Sequence, residues 1–218
     1  MRAALLAVAL VLALPARGQT GSAPDPVFQI DFTNPSLVPS HWTLTLHPDG
    51  SGHFLSEPGT ARSSTIEAPG VNRDIQVSAG FAQRVFDTAH KHRLFNEACE
   101  SHIKQVSFRG WKRLSYSGPD GKGSCVYNYS KDQKIDDFGE SLLAVASTIV
   151  EGARVELLLQ HDRLGLDREM EYLVEAAGDG RVQQLGTIRG ILERVANDEG
   201  VLERVRTRAR LLLAQAET

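Results

Sequence analysis

Residues 98–130 read ACESHIKQVSFRGWKRLSYSGPDGKGSCVYNYS, and the fold class turns on this stretch. Three runs, Ile103 to Phe108, Lys112 to Ser117 and Gly123 to Tyr129, carry the β-branched and aromatic residues that favour strands. Arg109-Gly110 separates the first two, and Pro119-Asp120-Gly121 turns the second pair. Strands joined by turns this short run antiparallel. The stretch therefore predicts a meander, with Cys99 ahead of the first run and Cys125 inside the last.

Upstream, the same pattern recurs. Val27 to Phe32 sets Phe28, Ile30 and Phe32 on one face and Val27, Gln29 and Asp31 on the other, as a half-buried strand does. Asn34-Pro35 then marks a turn. Trp42, Leu44 and Leu46 alternate with Thr43 and Thr45, the turn His47-Pro48-Asp49-Gly50-Ser51-Gly52 follows, and the chain returns through His53-Phe54-Leu55 as a hairpin. Residues 57–75 read as loop, with a short strand at Ser64 to Glu67. Ser78 is placed to cap a helix from Ala79 to His92. Such a helix would cover the apolar side of the sheet and leave the other side wet.

Downstream of Lys134 the composition changes. Every proline, both tryptophans and both cysteines precede it, and no lysine follows. Four helical stripes fit the tail: Phe138, Leu142, Val145, Ile149 and on past Gly152 to about His161; Leu166, Met170, Leu173, Ala177; Val182, Leu185, Ile188, Leu192, Val195; and Val201, Val205, Ala209, Leu212. Gly178-Asp179-Gly180 and Asn197 to Gly200 break them. The fold class is α+β: antiparallel hairpins with one helix and a disulfide, over residues 19–134, then a helical bundle over residues 135–218.

Residues 1–18 read as a leader. Arg2 supplies positive charge, Ala3 to Leu14 is an unbroken apolar run, and Ala16-Arg17-Gly18 places small residues for cleavage before Gln19. The run falls short of the ~20 residues that span a bilayer. The expectation is a secreted or periplasmic protein with no membrane-spanning segment in the mature chain. In that compartment two cysteines read as one disulfide, Cys99 to Cys125. A metal site at Cys99, His102 and Cys125 is the rival reading, short of the usual ligand number.

The net charge of −3 over 218 residues gives no reason to expect nucleic acid, and no cofactor motif is present. There is no Gly-x-Ser-x-Gly elbow. Gly118 to Gly123 lacks the Gly-Lys-Ser/Thr ending of a phosphate loop. His41, His47 and His53 read as strand-end and turn histidines, and His90 and His92 point apart on their helix. Of the paired carboxylates, Asp136-Asp137 suits a helix start, while Glu169/Glu171 reads as the wet face of its helix.

Tyr116, Tyr127 and Tyr129 form an aromatic patch fit for a protein or glycan partner if their face is outward, and core if it is inward. Asn128-Tyr129-Ser130 matches an N-glycosylation acceptor. Arg204 and Arg208 stack in one row of the last helix, beside Arg206 and Arg210. They read as a solvated face or as a dock for an acidic partner or lipid headgroup. The leading expectation is a non-enzymatic binding protein. The alternative is a secreted hydrolase with a site between the two parts near His102, and self-association through the helical tail is a third.

Overall fold

The structure is a computed structural model that describes residues 25–60 and 67–216. The leader, its cleavage site and most of the strand expected over residues 64–67 lie outside the described residues. A six-stranded antiparallel sheet organises the first part. Its strands are β1 (Val27–Thr33), β2 (His41–Leu46), β3 (Ser51–Ser56), β6 (Val71–Gln76), β7 (Trp111–Gly118) and β8 (Gly121–Tyr127), in the order β6-β3-β2-β1-β7-β8. A two-stranded pair, β4 (Gly59–Thr60) and β5 (Glu67–Ala68), hangs off the loop between β3 and β6.

One expected strand is absent. Residues 103–108 are irregular, and β7 pairs instead with β1, Leu114 opposite Ile30. Phe28, Ile30 and Phe32 of β1 are all fully buried, whereas Ile103 and Phe108 stand 47% and 49% exposed. The run from 103 to 108 has no buried alternation to offer a sheet, and β1 has one. A further strand, β6, lies where loop was expected. Only Val71 and Ile75 of its six residues are buried, and its polar remainder suits an edge strand.

Helix α1 (Ala79–Lys91) begins where Ser78 Oγ accepts from Phe81 N–H. It carries the chain from the β6 edge back to β7, four strand spacings or roughly 19 Å away, a distance a 13-residue helix covers at about 20 Å. Phe81, Val85, Phe86 and Ala89 bury its inner face. The Phe28, Phe95 and Phe138 rings cluster in the same core, with centroids 5.6 to 6.3 Å apart.

The 29-residue helix α2 (Gln133–His161) unites the molecule. Ile135, Leu142, Val145, Ala146, Ile149 and Ala153 join the sheet core. From Val155 onward the helix joins a second core, with α3 (Gly165–Gly178), α4 (Arg189–Asn197) and α5 (Glu203–Gln215). The compositional change at residue 134 thus falls at the start of α2, while the two cores meet near its residue 154. At the start of α2, Arg109 forks onto buried Asp136 at 2.6 and 2.8 Å. Lys112 is fully buried, its Nζ 3.5 Å from Glu140 and 5.3 Å from the Tyr127 ring centre.

The third helix is shorter than its apolar stripe. Thr148 Oγ1 accepts from Gln183 N–H at 2.9 Å and donates to Gln183 O at 2.6 Å. Those backbone groups are thereby spent on α2, so a single 3₁₀ turn (Leu185–Ile188) precedes α4. Gln184 Oε1 accepts from Ser78 N–H at 2.8 Å, and Glu156 takes both Arg73 and Arg194, so the helices are docked on the sheet at two further points. The Cys99–Cys125 disulfide is formed, with Cα atoms 5.8 Å apart. Among the described residues no helix is long and apolar enough to cross a membrane.

Candidate functional site

The tyrosines expected to form a surface patch divide. Tyr116 and Tyr127 are 3% and 0% exposed and belong to the core. Tyr116 Oη donates to Asp120 at 2.6 Å; burial and then that carboxylate push its hydroxyl up to about 12. Tyr127 Oη donates to Ile135 O at 3.0 Å, and burial pushes it up as well. Neither ring is offered to a partner. Tyr129 is half-buried, 5.2 Å from the Arg109 guanidinium. The half-exposed aromatic pair on this side is Phe108 and Trp111, edge to face at 6.0 Å.

Arg204 and Arg208 converge on Asp167 of α3, at 2.7 and 2.6 Å, and Arg208 also reaches Glu171 at 3.3 Å. The Arg204 hydrogen bond holds Asp167 below the usual carboxylate range. Arg206 and Arg210 both pair with Glu203. The row therefore ties α5 to α3 and to its own first turn.

His102 is exposed, and its backbone N–H donates to Glu100 Oε1 at 3.1 Å. Ser101 Oγ also donates to Glu100, at 3.3 Å, and accepts from Ile103 N–H. Burial would raise the Glu100 carboxyl, but backbone N–H groups of Asn128 and His102 outweigh it and hold it low. Glu100 is thus an ionised clasp for the loop beside the disulfide, and Ser101 is not aimed at an imidazole. His90 and His92 do part, to Asp120 and Glu97.

An apolar concavity lies where the first hairpin meets α2. Phe32 and Trp42 are cross-strand partners, stacked at 5.2 Å. The loop from β1 to β2 closes over them, held by Asn34 N–H to Ser40 O at 2.8 Å, and sets Leu37, Val38 and Pro39 as a rim. Leu143, Ala146, Ser147, Val150 and Glu151 of α2 form the opposite wall. The spacing of three and four places them on one helix face. The resulting pocket holds about 200 Å³, and Glu151 is the sole ionisable group among its described lining residues.

Glu151 is half of a carboxyl pair. It neighbours Glu169 of α3, and two adjacent buried carboxyls hold a proton more readily than both ionise. Without that proton, Glu151 Oε2 and Glu169 Oε1 are buried with no donor. Burial, then the hydrogen bond and charge of Glu169, push Glu151 up to about 8. Arg154 Nε lies 3.0 Å from the other Glu169 oxygen. Glu169 is 6% exposed, so its assignment to a wet helix face is corrected: it lies between Leu166, Met170 and Leu173 on the buried stripe. A shared proton on a carboxyl bordering an apolar pocket is the arrangement in which pKa and ligand contact couple. Two carboxylates fall short of a metal shell, and no cluster of three metal-binding residue types occurs among the described residues.

The sequence carried a muted signal for this site. Leu143, Ser147 and Glu151 form one i, i+4, i+8 row of α2, with Arg154 three residues on. The Glu151–Arg154 spacing resembles an ordinary surface pair, and nothing local foretells that Glu169 arrives from another helix. No protein-family model matches the chain and no curated protein matches it, so its functional reading rests on the site's own geometry.

Proposed function

We propose that the protein is an exported, non-enzymatic binding protein whose ligand site is the pocket between the first hairpin and α2. The observation that carries the reading is the pocket itself. It has a stacked Phe32–Trp42 floor, a rim of Leu37, Val38 and Pro39, and one carboxyl in an otherwise uncharged wall. Such mostly apolar concavities with a single orienting polar group are the usual form of a small-ligand site. Its volume, below the ~300 Å³ at which ligand clefts usually start, suits a short apolar molecule. The leader at residues 1–18 and the Cys99–Cys125 disulfide support export, since disulfides persist in oxidising compartments.

The test has two arms. Intact mass of the exported protein is expected to start at Gln19 and to rise by two hydrogens on reduction. Titration with short alkanols is expected to change Trp42 emission, read in a Trp111→Phe background, and Ser147→Phe, which fills the pocket, is expected to abolish the change. Unaltered emission, or binding that survives Ser147→Phe, refutes the pocket. A second reading, a protein or glycan partner docking at the half-exposed Phe108–Trp111 pair, is favoured instead if Trp111→Ala removes a partner that Ser147→Phe leaves bound.

A further inference from the structure

We propose that the segment from Ile103 to Arg113 is a docking surface for a bilayer that carries anionic headgroups. Its apolar side chains enter the interface and its free cations meet the phosphates. The surface is the one that the second reading above gives to a protein or glycan, and its test does not depend on the pocket.

The first argument is how the segment is presented. Residues 103–108 have strand composition and form no strand. Ser101 N–H donates to Tyr129 O at 2.9 Å, and Ser107 O accepts from Asn128 Nδ2 at 3.3 Å. The loop therefore leaves and returns at adjacent residues, with the Cys99–Cys125 disulfide at its base. Between those clamps His102, Ile103, Lys104 and Gln105 are all exposed. Phe108 and Trp111 follow, half exposed and packed edge to face at 6.0 Å. Large apolar side chains held in water so close together mark an interaction surface.

The second argument is charge. Ser101 to Pro119 holds no aspartate or glutamate, in a chain whose net charge is −3. Arg109 and Lys112 are spent on Asp136 and Glu140. Lys104 and Arg113 are exposed and make no ion pair with a described residue. Arg113 follows Trp111 by two residues in β7 and so shares its open face. Asp31, the cross-strand partner of Arg113, lies 3.5 Å from His41. The arginine row of α5, by contrast, is already paired with Asp167 and Glu203. Aromatic and aliphatic tips beside free lysine and arginine are the composition of interfacial segments, whose rings settle at headgroup level while the cations reach the phosphates. An acidic protein accounts for the cations; a bilayer accounts for the cations and the apolar tips together.

The experiment is flotation of the exported chain with vesicles of phosphatidylcholine alone and of equimolar phosphatidylcholine and phosphatidylglycerol. At low salt the anionic vesicles are expected to bind it more tightly by roughly tenfold or more. That advantage is expected to vanish at about 1 M salt, where screening leaves a reach of roughly 3 Å. Lys104→Ala with Arg113→Ala is expected to weaken binding about 25-fold, at roughly fivefold per cation. Trp111→Ser is expected to weaken it as well. Leu164→Ser, at a leucine 84% exposed in the helical part, is expected to bind as wild type. Acyl-brominated lipid is expected to quench wild-type emission but not that of Trp111→Phe, which reports the buried Trp42. Equal binding to both vesicles, a loss in Leu164→Ser that matches Trp111→Ser, or quenching that survives Trp111→Phe overturns the proposal. Absence of vesicle binding also overturns it, and an acidic protein held through Trp111 would then own the surface. Should a variant not fold, the wild-type dependence on headgroup and salt decides alone.

Discussion

Replacing Glu151 by glutamine should make the protein's stability far less sensitive to alkali. In the folded chain the Glu151 carboxyl titrates at about 8, against an ordinary value of 4.5. Between those values the native state binds more protons than the unfolded chain, so unfolding free energy falls as pH rises. The contribution is full below pH 4.5, declines through the window and is gone above pH 8. At 1.36 kcal/mol per pH unit, wild type should lose about 4 kcal/mol relative to Glu151→Gln between pH 5 and pH 9. The glutamine amide can donate to Glu169 where the shared proton did, so the two proteins should be nearly equal at pH 5. Glu169→Gln should lessen the loss without abolishing it, because it removes the neighbouring charge and leaves Arg154 to act on Glu151, while burial still raises the carboxyl. The assay is urea denaturation at pH 5, 7 and 9 with the disulfide kept oxidised. Subtracting the two curves cancels the histidines, which titrate in both proteins. A difference between wild type and Glu151→Gln that stays constant within about 1 kcal/mol across that range would refute a proton shared with Glu169.

Two further perturbations follow from the packing. Cys99 and Cys125 are 26 residues apart, so the double serine variant should lose about 3.5 kcal/mol by the chain-entropy relation, read as a lower urea midpoint with a slope that rises as the unfolded chain loses its cross-link. A Cβ on Gly139 would collide with Tyr127 Oη and stand 3.0 Å from Lys112 Cδ, both on buried side chains. Gly139→Ala should therefore cost on the order of 1–3 kcal/mol despite its better helix propensity. A thermal midpoint equal to or above wild type would show that the Tyr127–Ile135 contact yields easily.

How much was legible in the chain follows from the range of each interaction. Alternation in Val27–Phe32 and Trp42–Leu46, the Ser78 cap and the stripes of α2, α3 and α5 are local signals, set by side-chain periodicity within a dozen residues, and each element formed. The two cysteines announced their own pairing because no third competed. The class α+β was therefore determined by sequence alone. Which strand neighbours β7 was not: residues 103–108 and β1 both have strand composition, and only burial of Phe28, Ile30 and Phe32 against α2 and residue Phe95 selects β1. Likewise Thr148 shortens the third helix from 35 residues away, by taking the backbone of Gln183.

The candidate site lies wholly on the tertiary side of that line. Periodicity assigns a glutamate to a helix face, but whether that face meets water depends on what packs there. Glu169 was expected to be solvated and is buried, because α3 lays it against Glu151 rather than against solvent. Tyr116 and Tyr127 had two faces open to them, and α1 and α2 closed one. Local patterns specify elements because they reflect each residue's own neighbours along the chain. A pocket, a shared proton and a charge balance are properties of three or more segments meeting in space, and only the folded chain decides them.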